Sequence, residues 1–453
     1  VKPNARTVAL ELLLAVEHKD AYANLILPKL ITKAKLSTLD AALCQELAFG
    51  TLRSALFYDF AIEAAAKRDI EEIDIDLLWC LRMGAHQLLS MRIPNHAALN
   101  ETVELVKIKI SPKVSGFANS VLRRISETSF DRVFADLQKR YSDHDERLSA
   151  AYSHPLWIVK ALKLALAADG RADELEALLK SNNAAAAVNL VKLPSNPQHE
   201  LLDESLLVKS RASAIGYELD SGNPADLRDF AAGSLRVQDA GSQLSVLALT
   251  AAKPIKPGER WLDLCAGPGG KAALLAAFAK VSGATLFANE LLPHRAELVR
   301  GALEPFAANT QITSFDGRDL SDQQLGFFDR ILVDAPCTGL GALRRRPEAR
   351  YRKSSEDLKV LTKLQLELLV SAYQSLLPGG VLGYVTCSPH LSETTAIVAS
   401  FLKQTNAVLL DAREALSDQP VFANLPVNRK TVQLYTDRDQ TDCMFIALLH
   451  RPE

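Results

Sequence analysis

The chain has few cysteines and none in C-x-x-C spacing. Cys44, Cys80, Cys265, Cys337, Cys387 and Cys443 are scattered along 453 residues. That scatter excludes the usual zinc modules and a secreted disulfide framework, both of which need clustered thiols. A cytoplasmic protein with reduced thiols and no metal is expected. Long apolar runs are missing as well: no stretch reaches the ~18 residues that span a bilayer, so no membrane segment is predicted. The apolar start "VKPNARTVALELLLAVEHKD" carries Glu11 and Glu17 on a helical period, which marks an amphipathic helix rather than a secretory signal. An excess of one charge is also lacking. The net charge of −2 gives no global case for or against a nucleic-acid partner and leaves only local patches to read.

What is present fits a soluble globular chain of two or three domains, with 48% hydrophobic and 23% charged residues. Residues 1–130 are patterned for helices nearly throughout. "LSTLDAALCQELAFGTLRSALFYDFAIEAAA" repeats apolar residues every three or four positions, and "DIDLLWCLRMGAHQLLSM" does the same. Asn100 is a plausible cap for the helix after "RIPNH". An all-α bundle is predicted. Residues 131–235 mix helical stretches with the strand-like "AAVNLVKL" and the turn-rich "PSNPQHE", suggesting a small α+β connector. In residues 236–453, from about Pro257, short apolar runs alternate with helices, the pattern of a parallel sheet covered on both faces. The closing "DCMFIALLH" reads as a late, antiparallel strand.

Candidate functional residues gather where those strands end. "LDLCAGPGGK", Leu262 to Lys271, leaves the first strand and opens a helix. Its residues Cys265, Ala266, Gly267, Pro268, Gly269, Gly270 and Lys271 are predicted to approach a cofactor through backbone N–H groups. The spacing is neither G-x-G-x-x-G nor a P-loop, which weighs against a nicotinamide-dependent oxidoreductase. Glu290 ends the second strand, where a carboxylate accepts ribose hydroxyls, Asp316 ends the third and Asp334 the fourth. Acids in register at one sheet edge line one crevice. "ILVDAPCTGLG" and "GYVTCSPH" place Cys337 and Cys387 at that edge, and the basic run "RRRPEARYRK" follows with six Lys or Arg against one Glu. Taken alone, each thiol is more simply a small buried residue, and a basic run is as readily a solvated face as a phosphate site.

"DLCAGPGGK", "DAPCTGLG" and "TCS" together resemble the RNA cytosine-5 methyltransferases. "STLDAALCQELAFGTLR", "IPNHAALNETVELVK", "FANSVLRRI", "YSHPLWIVKAL" and "RVQDAGSQ" extend the likeness to the RsmB/Sun (Fmu) branch, which acts on 16S ribosomal RNA. The resemblance implies a NusB-like N-terminal bundle and a Rossmann-like class I methyltransferase domain with a mostly parallel, seven-stranded sheet. It implies S-adenosylmethionine as cofactor and RNA as partner, with the monomer favoured. It makes Cys387 the nucleophile that adds to C6 of cytosine, and Cys337 the thiol that assists product release. Asp334 then contacts the base, and Lys271 sits near the cofactor or the thiols. The basic run becomes a phosphate contact through Arg344, Arg345, Arg346 and Arg350. Arg53, Arg123 and Arg124 offer a second, weaker RNA surface, and Tyr351 a stacking face. The chain departs from the family's "CAAPGGK" at Gly267. It also has His390 where a Glu is common after "TCS", and "SNNAAAAVNL" lacks the usual prolines and arginine. The competing readings are a methyltransferase acting on another RNA such as tRNA, and a non-catalytic assembly factor that retains the fold.

Overall fold

The computed structural model describes residues 3–194 and 201–453. Most of the loop expected at "PSNPQHE" therefore lies outside the described residues. The chain divides into two compact units: residues 1–160, 175–184 and 343–352 in one, and residues 161–174, 185–342 and 353–453 in the other.

The first unit is helical. Its helices include Ala5–Lys19, Thr38–Arg53, Ala55–Ala66, Ile75–Leu89, Asn95–Lys109 and Ser115–Ser126. Their ends follow local chemistry: Asn4 and Thr7 form a reciprocal capping box, Ser37 accepts from the Asp40 N–H, and Asp74 accepts from Asp76 and Leu77. Leu10, Leu13, Leu47, Phe57, Tyr58, Leu81 and Met83 fill the core. The structure corrects the helix limits in two places. The long apolar stretch breaks at Ser54, whose φ of −120° and ψ of 22° end one helix before the next begins. Apolar spacing continues across the break, so nothing in the pattern marks it. Asn100 is not a cap but lies inside Asn95–Lys109, because Pro94 stands at the N-cap and starts the helix six residues earlier.

The segment Leu343–Arg352 belongs to this unit, and it overturns one sequence expectation. Arg350 is fully buried rather than presented to solvent. One guanidinium nitrogen donates to the carbonyls of Arg53 and Ser153, both at 2.9 Å, and to Asn183 Oδ1 at 2.8 Å. Burial pulls its pKa down to about 10. An arginine spent on three internal acceptors is a packing element, not a phosphate contact. Glu348 likewise turns inward to accept from the Ala23 N–H at 3.1 Å, and Arg352 donates to the Ala21 carbonyl with its guanidinium 5.0 Å from the Tyr22 ring.

The second unit holds two sheets. β1 (Asn189–Lys192), β2 (Leu207–Lys209), β3 (Gly216–Leu219) and β4 (Leu235–Val237) form an antiparallel sheet in the order β2-β3-β1-β4. The larger sheet comprises β5 (Arg260–Asp263), β6 (Thr285–Asn289), β7 (Thr310–Thr313), β8 (Phe328–Asp334), β9 (Leu376–Thr386), β10 (Val408–Leu410), β11 (Val432–Gln433) and β12 (Phe445–His450). Its order is β10-β12-β9-β8-β5-β6-β7, with the short β11 added beside β12. Strands β5 to β9 pair in parallel, and β12 runs antiparallel to β9 as its late position suggests. Leu262, Leu286, Ile331, Leu332, Leu382 and Val385 are buried at 1% exposure or less, which explains why these strands read as continuous apolar runs. Because neighbouring parallel strands end at the same edge, β5, β6, β8 and β9 deliver their following loops side by side.

Replacing Arg350 by Ala strands three carbonyl oxygens that now share a charged donor. The expected loss is about 3 kcal/mol from the stability of the helical unit, measured by urea denaturation. An unchanged midpoint would show that these acceptors find other partners.

Candidate active site

The loop after β5 is shaped by close approaches that glycine alone permits. Gly269 has φ of +110°, and a Cβ there would lie 2.6 Å from the Ala302 side chain. A Cβ on Gly267 would fall 2.0 Å from Glu290 Oε2. That space is used: Glu290 accepts from the Gly267 N–H at 3.1 Å and from the Leu292 N–H at 3.0 Å, while Arg295 donates to the Gly267 carbonyl at 2.6 Å. Ala266 is buried and tied to β6 through its N–H on the Asn289 carbonyl at 2.8 Å. Cys265 is half-buried, and burial pushes its thiol well above the ordinary value.

Asn289, which the sequence reading passed over, ties three strand ends together. Its amide nitrogen donates to the carbonyls of Leu264 and Phe315, and its oxygen accepts from Thr313 Oγ1 and the Phe315 N–H. Asp316 lies three residues beyond β7 rather than at its end. It caps the following turn through the Arg318 N–H and holds the Arg318 guanidinium at 2.6 Å, which keeps its carboxyl below the ordinary range.

Lys271 and Asp334 meet at 2.8 Å between Nζ and Oδ2. Burial, the largest single influence, would pull the lysine down; the Asp334 charge and hydrogen bond, with the Cys387 and Asp263 charges, together outweigh it, and the net pKa is raised, so the ammonium persists. Behind this pair stands Asp263, the last residue of β5. It is fully buried; no side chain donates to its carboxylate, while the Cys265 backbone N–H and the Lys271 charge favour its ionised form. Desolvation, reinforced by the Asp334 charge, pushes its pKa up to about 8. No sequence argument had singled it out.

The two thiols face each other, with Cys337 Sγ 3.3 Å from Cys387 Sγ. They are not equivalent. The hydrogen bond to Cys387, then burial, push the Cys337 thiol well above its ordinary value, and either sulfur can donate across the 3.3 Å contact. The Lys271 ammonium feels the Cys387 sulfur as a further stabilising charge. Sequence reasoning also missed what clamps the thiols. Glu393, fully buried, accepts from the Thr338 N–H at 2.8 Å and from Ser388 Oγ at 2.6 Å, each next to one of the cysteines. It also accepts from Thr338 Oγ1 and from Gln365 Nε2 at 3.1 Å. Gly341 closes the other side, donating to the Cys387 carbonyl at 2.9 Å, where a Cβ would lie 2.0 Å from the Cys443 carbonyl. His390, three residues from Glu393, instead caps a turn: its Nδ1 accepts from the Ser392 N–H at 3.1 Å, and burial lowers its pKa.

The basic run is less available than its composition suggests. Arg344 is 7% exposed, Arg345 is half-buried, and of the four expected contacts only Arg346 is exposed, with its guanidinium 5.9 Å from the Tyr22 ring. Arg124 donates to the Ala65 carbonyl, while Arg123 stays exposed. Among the described residues, no group of three or more His, Cys, Asp or Glu is arranged to hold a metal. No helix among them is long and apolar enough to cross a membrane.

Two consequences can be measured. Glu393→Ala should remove about 3 kcal/mol from the sheet unit, as a buried hub of four donors loses its acceptor. It should also slow disulfide closure between Cys337 and Cys387 under oxidised glutathione, followed by non-reducing peptide mass spectrometry; unchanged closure would show that Glu393 does not align them. Asp263 gives a pH signature. A carboxyl whose folded pKa stands near 8, above its ordinary 3.8, binds its proton more tightly when folded. Folding therefore loses stability as pH rises through that window. Asp263→Asn should raise the melting temperature more at pH 8.5 than at pH 5, and an equal shift at both would refute the buried proton.

Comparison with known proteins places this geometry in a family. The profile described as "16S rRNA methyltransferase RsmB/F" matches residues 250–450, and that of the "NusB family" matches residues 3–127. Rv1407 of Mycobacterium tuberculosis, named as a candidate methyltransferase, is 43% identical over 99% of this chain and 96% of its own. The ribosomal RNA small subunit methyltransferase B of Pseudomonas syringae pv. tomato is 34% identical over 98% of this chain and 96% of its own. That of Enterobacter sp. is 32% identical over 94% and 96%. Among solved structures, PH0851 shares the fold over 100% of both chains, with a TM-score of 0.77 at 21% identity. The two profile matches and the relatives aligned along nearly the whole chain show that the chain belongs to the RsmB/F family of methyltransferases.

Proposed function

We propose that the protein transfers a methyl group from S-adenosylmethionine to C5 of a cytosine in small-subunit ribosomal RNA. The observation that carries the reading is the apposed thiol pair, 3.3 Å apart, with the Lys271–Asp334 pair beside it. A binding module has no use for two apposed thiols at the mouth of such a loop. The relatives named ribosomal RNA small subunit methyltransferase B support RNA of the small subunit as substrate.

The strand-end residues fit the cofactor. Glu290 keeps lone pairs for ribose hydroxyls beyond its two backbone donors, and Asp316 adds an acceptor at the next strand. Gly270 leaves the start of its helix open, with no atom within 4 Å of where a Cβ would stand. Cys265, Ala266, Gly267, Pro268 and Gly269 supply backbone beside it. When bound, the cofactor supplies an electrophilic methyl on a sulfonium.

The chain's own groups do the rest. C5 of cytosine is a poor nucleophile until C6 is attacked. Cys387 as thiolate adds its electron pair to C6, and the C5–C6 π pair becomes available at C5 for methylation. Asp334 hydrogen-bonds the base at the N3 side, where the proton of the adduct resides. Lys271 holds Asp334 in place and lends positive charge near Cys387, which favours the thiolate. Loss of the C5 proton to water then returns its electron pair to the ring and expels Cys387 as thiolate, while the proton that N3 took from water on addition is returned to it. Cys337, protonated and in contact with that sulfur, assists the release.

The test incubates the chain with tritiated S-adenosylmethionine and 16S ribosomal RNA, then maps 5-methylcytosine. Cys387→Ala should abolish labelling. Cys337→Ala should accumulate a protein–RNA adduct that survives denaturing electrophoresis; normal turnover by that variant would overturn the division of roles.

A further inference from the structure

The motif "RVQDAGSQ" takes no part in the chemistry above, yet two of its side chains meet the back of the cofactor loop. A cavity of about 390 Å³ lies there, lined by Phe230, Arg236, Gln238, Gly269, Gly270 and Ala302 among others. Its size is within the range of small-ligand sites, ~300–1,000 Å³. We propose that this cavity is a second nucleotide subsite, holding one phosphate-bearing nucleotide of the RNA strand apart from the target cytosine. It rests on the RNA reading of the previous section.

Three observations converge on it. Gln238 is 7% exposed, its backbone N–H is spent on the Asn189 carbonyl and its carbonyl on Gln243, yet both atoms of its side-chain amide lack a partner. A buried amide left unpaired is costly, so a ligand that pairs it recovers that loss. Its donor and acceptor sit side by side, the arrangement that reads a nucleobase edge. Arg236, on β4, has a buried Nε without a partner and no carboxylate against it among the described residues. Burial lowers its pKa, the mark of a cation short of an anion. Phe230, half-buried in the wall, offers a ring for stacking. Gly270 immediately precedes Lys271, so an RNA held here is one backbone step from the residue that pairs with Asp334.

A carboxylate of the cofactor is the other anion that could reach this loop, and the experiment separates the two. The full chain is titrated into a 5′-fluorescein-labelled single-stranded decanucleotide RNA over a series of salt concentrations, and anisotropy is read. S-adenosylmethionine binding is measured in parallel by calorimetry, and melting curves verify the fold. Arg236→Ala should weaken RNA binding about tenfold and flatten the dependence of log K on log salt by ~0.7, one phosphate contact on a single strand. Arg236→Lys should keep the slope. Gln238→Glu, nearly isosteric, should weaken RNA binding by repelling the phosphate. All three should leave S-adenosylmethionine affinity unchanged. Equal RNA binding by wild type and variants would overturn the subsite. A matched loss of cofactor affinity in a folded variant would assign the cavity to the cofactor and overturn it equally. Failure of the wild-type chain to bind RNA at all would instead bring down the parent reading.

Discussion

One buried carboxylate holds the chemistry together. Glu393 lies beneath the loops that follow β8 and β9 and accepts from Thr338 and Ser388, the residues after Cys337 and Cys387. A buried charge is tolerated only when donors surround it, and here four do: two hydroxyls, a backbone N–H and an amide. The arrangement makes the loops depend on each other. Neither can shift without stripping a donor from Glu393, so the distance between the sulfurs is set by a hydrogen-bond hub rather than by the loops' own preferences. The parallel register contributes the rest, since Asp334 of β8 stands opposite Val385 of β9, and each strand ends within three residues of its thiol.

Charge placement follows the same logic. Asp263, Asp334 and Lys271 occupy a small region that cannot hold two bare carboxylates cheaply. Lys271 pairs with Asp334, and Asp263, without a side-chain donor, is left with a raised pKa. A site near the strand ends thus keeps one charged pair and one proton in reserve. Cys387 lies within reach of the Lys271 charge, while Cys337, whose thiol is pushed up by its hydrogen bond to Cys387 and by burial, does not share that cation.

Much of this was legible in the chain because the relevant signals are local. Glycines, acids and thiols each follow an apolar run, and parallel strands end at one edge, so Gly267, Glu290, Asp334, Cys337 and Cys387 could be placed on a common rim before any coordinates. What could not be read depends on contacts far apart in sequence. Glu393, in "LSETT", looks like an ordinary acid at the start of a helix; its role appears only once Thr338, some fifty residues earlier, is folded against it. Arg350 looks like one more cation in a basic run, yet it is fully buried and turned onto the carbonyls of Arg53 and Ser153. Asp263 and Asn289 end strands as polar residues often do, and nothing local says that one lacks a side-chain donor while the other ties three strands.

Gly267 shows how a departure from a family pattern acquires a physical meaning. Read as sequence, glycine in place of alanine is a tolerable loss of a methyl group. In the folded chain that methyl would occupy the position of a Glu290 oxygen. Its absence lets the carboxylate sit directly on the Gly267 N–H, with Arg295 bracing the same peptide from its carbonyl side. A chain with alanine here must hold its acid farther from the loop. The glycine therefore lets the acid and the loop after β5 meet directly, through the Gly267 N–H that Glu290 accepts.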